Sequence, residues 1–219
     1  MDFKKLFEAQ AELEKQIKEQ HPVQKGENRL LKKVLAIQVE LAECAQNWRG
    51  FKFWSKHQTP TVINSSCKSE EAEEFFCGIC HKYYTKDDLL EFDEDGDAPC
   101  PSKNHETNWL MAMKTKNPTL EEYADVLHFA LGIGLELGIK VESVYLLEKE
   151  SKTILERFTS LMVGYGILGM QSHHIECSYR DLFAGTIRLG IKLGFTLEQI
   201  EEAYYAKNKI NHERQAVGY

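Results

Sequence analysis

Apolar residues recur at three- and four-residue intervals along most of this chain, and the exceptions gather in its middle. Phe3, Leu6, Phe7, Leu13 and Ile17 share one side of a helix predicted over 2–20, because a 3.6-residue turn brings such positions together. Pro22 and Gly26 in HPVQKG break it. A second long helix is predicted over 27–48, and the aromatic and basic stretch RGFKFWSK, 49–56, leaves it through Gly50. The NPT at 117–119 restarts the pattern, with Thr119 as N-cap and Glu121 and Glu122 in the first turn of a helix running to about Gly138. Another helix begins near Val141 and continues through LLEKESKTILERFTSLMVGYGIL, and a further one spans about 178–193, stopped by Gly194. The last opens at FTLEQIEEAY, where Thr196 and Gln199 form a capping box. Six or seven helices with short links make an all-α helical bundle.

The middle reads differently. Residues 57–106 are polar, acidic and cysteine-rich without sustained helical periodicity, and a short helix is predicted over 106–116. The chain therefore divides into 1–56 with 118–219, and an insertion, 57–117. Cys77 and Cys80 form a Cys-x-x-Cys turn, and Cys100 with His105 follows about twenty residues on. That is the spacing of a small zinc-ribbon-like site, and an ion would explain how a segment with so little apolar material folds. His81 and Cys67 are rival fourth ligands. A structural role, a lid and a partner contact all remain open for it.

Charge and composition narrow the partners. A net charge of −7 and the acidic run DEDGD at 93–97 argue against nucleic acid, whose phosphates need clustered Lys and Arg. No apolar run approaches the ~20 residues of a membrane span, and MDFKKLFEAQ is no signal peptide. We expect a cytoplasmic protein with reduced thiols. GYGILG at 164–169 matches a dinucleotide-binding pattern, but it continues a helical segment instead of following a strand.

The chemistry concentrates in two helices. IQVELAECAQ carries Glu40 and Glu43, and LEEYADVLHF carries Glu122 and Asp125. Residues three apart lie about 300° round a helix, so each pair projects from one side, one turn apart. Such a pair usually sits on a solvated face. Here both lie among apolar neighbours, where burial and repulsion penalise the charges. Packed antiparallel, the two helices would converge four carboxylates, a hard oxygen site suited first to Mg²⁺. A ferritin-like di-iron centre would need Glu-x-x-His on two helices, and only Asp125-x-x-His128 comes near it. In the last helix Tyr204, Lys207, Asn208, Asn211, Arg214 and Gln215 take the spacing of a buried apolar stripe, so this face suits a polar ligand. Lys207 and Arg214 could neutralise phosphates, and Asn208 and Asn211 could bond a base or sugar.

In LFEAQAEL, VELAE, FKFWS, EEYADVLHF and AYYAKNKINHERQAVGY, the chain resembles the dimeric all-α dUTPases of bacilli and their phages, within the all-α NTP pyrophosphatase superfamily. The resemblance spans 1–56 and 118–219. It implies a homodimer that hydrolyses dUTP, and by extension dUDP, to dUMP. It implies two or more Mg²⁺ ions at Glu40, Glu43, Glu122 and Asp125, with Glu43 acting on the attacking water. It places Gln10, Phe53 or Trp54, Lys56 and His128 near the nucleoside, and Tyr204, Lys207, Asn208, Asn211 and Arg214 over sugar and phosphates. Glu14 and Gln46 stand where many relatives carry other polar residues, and they bear on the choice between uracil and another base such as cytosine. A non-catalytic helical binding module carrying zinc is the rival outside enzymes.

Overall fold

Helix α3 (Pro118–Leu137) is the axis of the helical part: eleven of its twenty residues are buried, which requires neighbours on most sides. The computed structural model describes residues 1–60, 62–89, 91–94, 96–102, 108–143, 151–170 and 173–218. They fall into two compact units, 1–60 with 118–219, and 61–117. The second unit starts at Thr61 and not at 57, where the composition shifts.

In the first unit α1 (Phe3–Gln20), α2 (Arg29–Trp48), α5 (Ile175–Lys192) and α6 (Leu197–Ala216) all pack on α3, and α4 (Ile154–Leu168) packs on α2 and α5. Helix α2 makes the most extensive of these contacts. Lys33 of α2 meets Gly132 and Glu136, Cys44 meets Thr119, and Asn47 meets Glu122. The pairings run in opposite senses along the chain, so α2 and α3 are antiparallel. Leu6, Phe7, Ile37, Leu41, Leu127, Leu131, Phe183 and Tyr204 form part of one core. No helix among the described residues is long and apolar enough to cross a membrane.

Several elements differ from the sequence expectation. Helix α3 opens at Pro118, so Thr119 lies inside its first turn instead of capping it; proline suits the first position because no N–H is needed there. The helix expected from Val141 starts only at Ile154. Residues 141–143 and 151–153 are not helical, and 144–150 lie outside the described residues. Its start is set by Thr153, whose hydroxyl accepts from Glu156 N–H while the Glu156 carboxylate accepts from Thr153 N–H. Helix α2 ends on Arg49 in the left-handed conformation, φ 66°, and not on Gly50. Gly50 is needed because the Trp48 ring lies where its Cβ would be.

The second unit is an antiparallel sheet in the order β1 (Ile63–Ser66), β4 (Met111–Lys116), β2 (Glu74–Phe76), β3 (Tyr83–Tyr84). Strand β4 occupies the region expected to be a short helix. It pairs on both sides, Ser65 with Lys114 and Phe75 with Ala112, and Leu110 and Ala112 alternate into a small core. Two partners for one backbone outweigh the helical preference of Met, Ala and Lys.

Candidate active site

Helix α2 turns Lys33, Glu40 and Asn47 toward α3 because they recur every seven residues, close to two turns. Helix α3 answers with Glu122 and Asp125. One oxygen from each of Glu40, Glu122 and Asp125 lies within 4.8 Å of the others. Asn47 Nδ2 donates to Glu122 Oε1 at 3.5 Å. From α6, Lys207 Nζ donates to Asp125 Oδ2 at 2.5 Å, both side chains mostly buried.

Three carboxylates so close raise one another's proton affinity. Burial, then the charges of Asp125, Glu43 and Glu122, push the Glu40 carboxyl up to about 7. Burial and the neighbouring acids also raise Glu122. Burial raises Asp125 too, although Lys207 and Arg214 oppose it. Such a set is short of positive charge, and its donors are hard oxygens, so it fits a divalent ion of the magnesium type. Glu43 stands one turn from Glu40, exposed, and adds its charge without joining the three converging oxygens.

A second group lies between α1, α3 and α6. The Tyr204 hydroxyl donates to Gln10 Oε1 at 3.1 Å, and His128 Nδ1 lies 2.8 Å from the same oxygen. His128 Nε2 is 3.3 Å from the Tyr204 carbonyl, and the His128 and Tyr204 rings stack at 4.3 Å. Burial lowers His128 to about 4, so the ring is neutral, with Nδ1 against Gln10 and Nε2 against the Tyr204 carbonyl. Asn208 is 8% exposed, and its side-chain amide lies against the Tyr204 hydroxyl. Asn211 is half-buried and Arg214 exposed, its charge felt at Asp125. Phe53, Trp54 and Lys56 are exposed; Trp54 packs edge-on against Phe53 at 5.0 Å and Phe51 at 5.8 Å.

Sequence reasoning missed an ion cluster at the opposite end of the α2–α3 seam. Lys33 Nζ lies 2.8 Å from Glu14 and 3.2 Å from Glu136, and it donates to the Gly132 carbonyl at 3.2 Å. A Cβ on Gly132 would stand 2.8 Å from Glu14 Oε1, so glycine is what lets Glu14 in. The seven-residue spacing from Lys33 to Glu40 is the signal that could have found it.

In the second unit, Sγ atoms of Cys77, Cys80 and Cys100 lie within 4.8 Å of one another, and Cys80 and Cys100 are 3.8 Å apart. Burial resists the Cys77 thiolate, but N–H groups of Cys80 and Ile79 and the Asn108 amide outweigh it and bring the thiol down to about 6. Cys67 and His81 are not in this cluster, and His105 lies outside the described residues.

No curated protein matches the chain. Residues 2–75 and 109–219 match the model of the dUTPase family. That match takes in both acidic helices and the stripe on α6, and it leaves out 76–108. With α2, α3 and α6 carrying those residues in a fold of six α-helices among the described residues, the protein belongs to the all-α dUTPase family.

Proposed function

We propose that the protein is a dUTP diphosphatase, hydrolysing dUTP to dUMP and pyrophosphate, with dUDP as a further substrate. The observation that carries this reading is the convergence of Glu40, Glu122 and Asp125, all with raised proton affinity, against Lys207. Glu40, Glu122 and Asp125, with Glu43 beside them, would hold magnesium, two or more ions per site. Bound there, magnesium would lower the pKa of a water and offset charge on the phosphate oxygens.

The chain's own groups supply the rest. Glu43, exposed and one turn from Glu40, orients or deprotonates the water that attacks the α-phosphorus. Lys207 exchanges Asp125 for a phosphate oxygen, and with Arg214 meets the charge on the departing pyrophosphate. Asn208 offers a buried donor to an acceptor on the nucleotide. Gln10 and His128, locked together by Tyr204, form a pre-set polar wall for the nucleoside, and Phe53 or Trp54 supplies an exposed ring to stack on the base.

The reading also takes the protein as a cytoplasmic homodimer. Leu31, Leu35 and Val39 on α2, Val163 and Ile167 on α4 and Met170 just beyond it expose apolar side chains, between 47% and 78% each, more than scattered surface residues need. The thiol cluster, with soft donors, has no part in this reaction.

The test is pyrophosphate release with Mg²⁺, offering dUTP, dCTP, dTTP, dATP and dGTP separately. Strong preference for dUTP is expected. A Glu43→Gln variant should keep the fold and lose about 10²–10⁴-fold in kcat, the usual contribution of a general base. Turnover centred on dCTP would keep the site and replace the substrate. No turnover on any of the five by folded, magnesium-loaded protein would leave a helical binding module.

A further inference from the structure

We propose that Cys77, Cys80 and Cys100 hold a structural zinc ion, and that this metal ties together the two described limbs, 76–89 and 96–102, of a hairpin inserted at the end of the β2–β4 ladder. The insertion point is visible in the register. Strands β2 and β4 pair Glu74 with Met113, Phe75 with Ala112 and Phe76 with Met111. The family match stops at 75 and resumes at 109. The two ends of the unmatched segment therefore meet across one antiparallel ladder, where a longer loop can be added without disturbing the pairing.

Each limb of the hairpin is shaped to bring its sulfurs in. On the first, His81 takes a left-handed backbone, φ 54°, and its N–H donates to the Cys77 carbonyl at 2.9 Å. Cys77 N–H donates to the Lys82 carbonyl at 3.0 Å, which closes the Cys-x-x-Cys turn. On the second, Pro99 bridges Trp109, and Cys100 N–H donates to the Asn108 carbonyl at 2.8 Å. The Asn108 side-chain N–H donates in turn to Cys77 Sγ at 3.7 Å, tying the limbs together. The Tyr84 hydroxyl flanks the cluster, 3.6 Å from Cys80 Sγ and 3.5 Å from Cys100 Sγ.

The core of this unit explains why an ion is needed. Its buried cluster is Ala72, Phe75, Cys77, Leu89, Ala98, Cys100, Leu110 and Ala112. Only Phe75, Leu89 and Leu110 among these are large and apolar, and two of the rest are the ligands themselves. A unit of this size needs a staple beyond such a core. Three thiolates select zinc over magnesium, and a tetrahedral ion takes one further donor.

The inference stands whether or not dUTP is the substrate, and its test is separate. Full-length protein purified without chelator should contain about one zinc per chain by elemental analysis, falling below about a tenth in Cys80→Ser and Cys100→Ser, as a lost ligand requires. Cys177→Ser, which alters an exposed cysteine outside the cluster, should keep its zinc. Because the ligand variants can misfold, wild-type protein loaded with cobalt provides the second measurement, and thiolate-to-cobalt absorption bands are expected. Stripping zinc with a selective chelator in excess Mg²⁺ should open 76–108 to protease and leave pyrophosphate release within about twofold of its starting value, since the metal folds only its own hairpin. Zinc-free protein with a Cys80–Cys100 disulfide, or cobalt protein without thiolate bands, would overturn the site. Loss of activity in step with zinc would overturn its confinement to the hairpin.

Discussion

Lys207 holds two competing assignments, and the competition is measurable. Its ammonium neutralises Asp125 at 2.5 Å, so it opposes any cation that the carboxylates would take. Lys207→Gln should therefore tighten Mg²⁺ binding severalfold while lowering kcat by about 10²-fold, the scale of one lost charge-stabilising contact. Calorimetric Mg²⁺ titration alongside steady-state kinetics checks both signs. Weaker Mg²⁺ binding in the variant would show that Lys207 does not compete at the cluster.

His128 gives the pH dependence. Its folded-state pKa falls from 6.5 to about 4 because the ring is buried. Between those values the unfolded chain binds a proton that the native state refuses. Stability from this group is complete above pH 6.5 and is lost as pH falls toward 4, by about 3 kcal/mol at a 1.36 kcal/mol-per-unit conversion. Glu40 acts in the opposite sense, since its native carboxyl holds its proton up to about 7. The two separate in a difference measurement: denaturant unfolding of wild type and His128→Asn across this range should show the acid-side loss only in the wild type.

At the scale of elements, the α2–α3 seam has an ion clamp at one end and the carboxylate cluster at the other. Lys33 is the cation that meets both Glu14 and Glu136, its side chain 13% exposed and that of Glu14 12%. Lys33→Met should cost about 3 kcal/mol, because it strands a mostly buried carboxylate. Chemical denaturation measures it, and Glu14→Gln in the same background should recover part of the loss.

These elements also mark what was legible in the sequence. Helices α1 and α2 could be read from apolar periodicity, and α6 from the capping box of Thr196 and Gln199 at its start. Spacing together with apolar neighbours pointed to the acids, three of which, Glu40, Glu122 and Asp125, the fold brings together. Strand β4 was not, since its conformation is set by partners 53 and 39 residues earlier, Ile63 opposite Lys116 and Glu74 opposite Met113. The start of α4 was misread because apolar periodicity carried past Thr153, where a local capping box decides the boundary. The Gln10–His128–Tyr204 group joins residues 118 and 194 positions apart; only a resemblance could name them together. Lys33 went unread although its seven-residue spacing from Glu40 puts it on the same side of α2.

For the whole molecule, the exposed side chains of Leu31, Leu35, Val39, Val163, Ile167 and Met170 bear on assembly. Leu35→Glu with Val39→Glu should convert the proposed dimer to monomer, read by light scattering after gel filtration, with the helical circular dichroism unchanged. A wild type already monomeric at micromolar concentration would remove the dimer from the reading.

The seven-residue recurrence of Lys33, Glu40 and Asn47 constrains how a gene of this kind can change in length. Deleting or adding one residue between Lys33 and Asn47 would turn one end of α2 by about 100° against the other. The clamp or the carboxylates would then face away from α3, whatever the substituted side chains. Such helices admit replacements and refuse frame-preserving insertions. A hairpin end, where two strands already meet, accepts them, and the segment that the family model leaves unmatched, 76–108, lies at such a place.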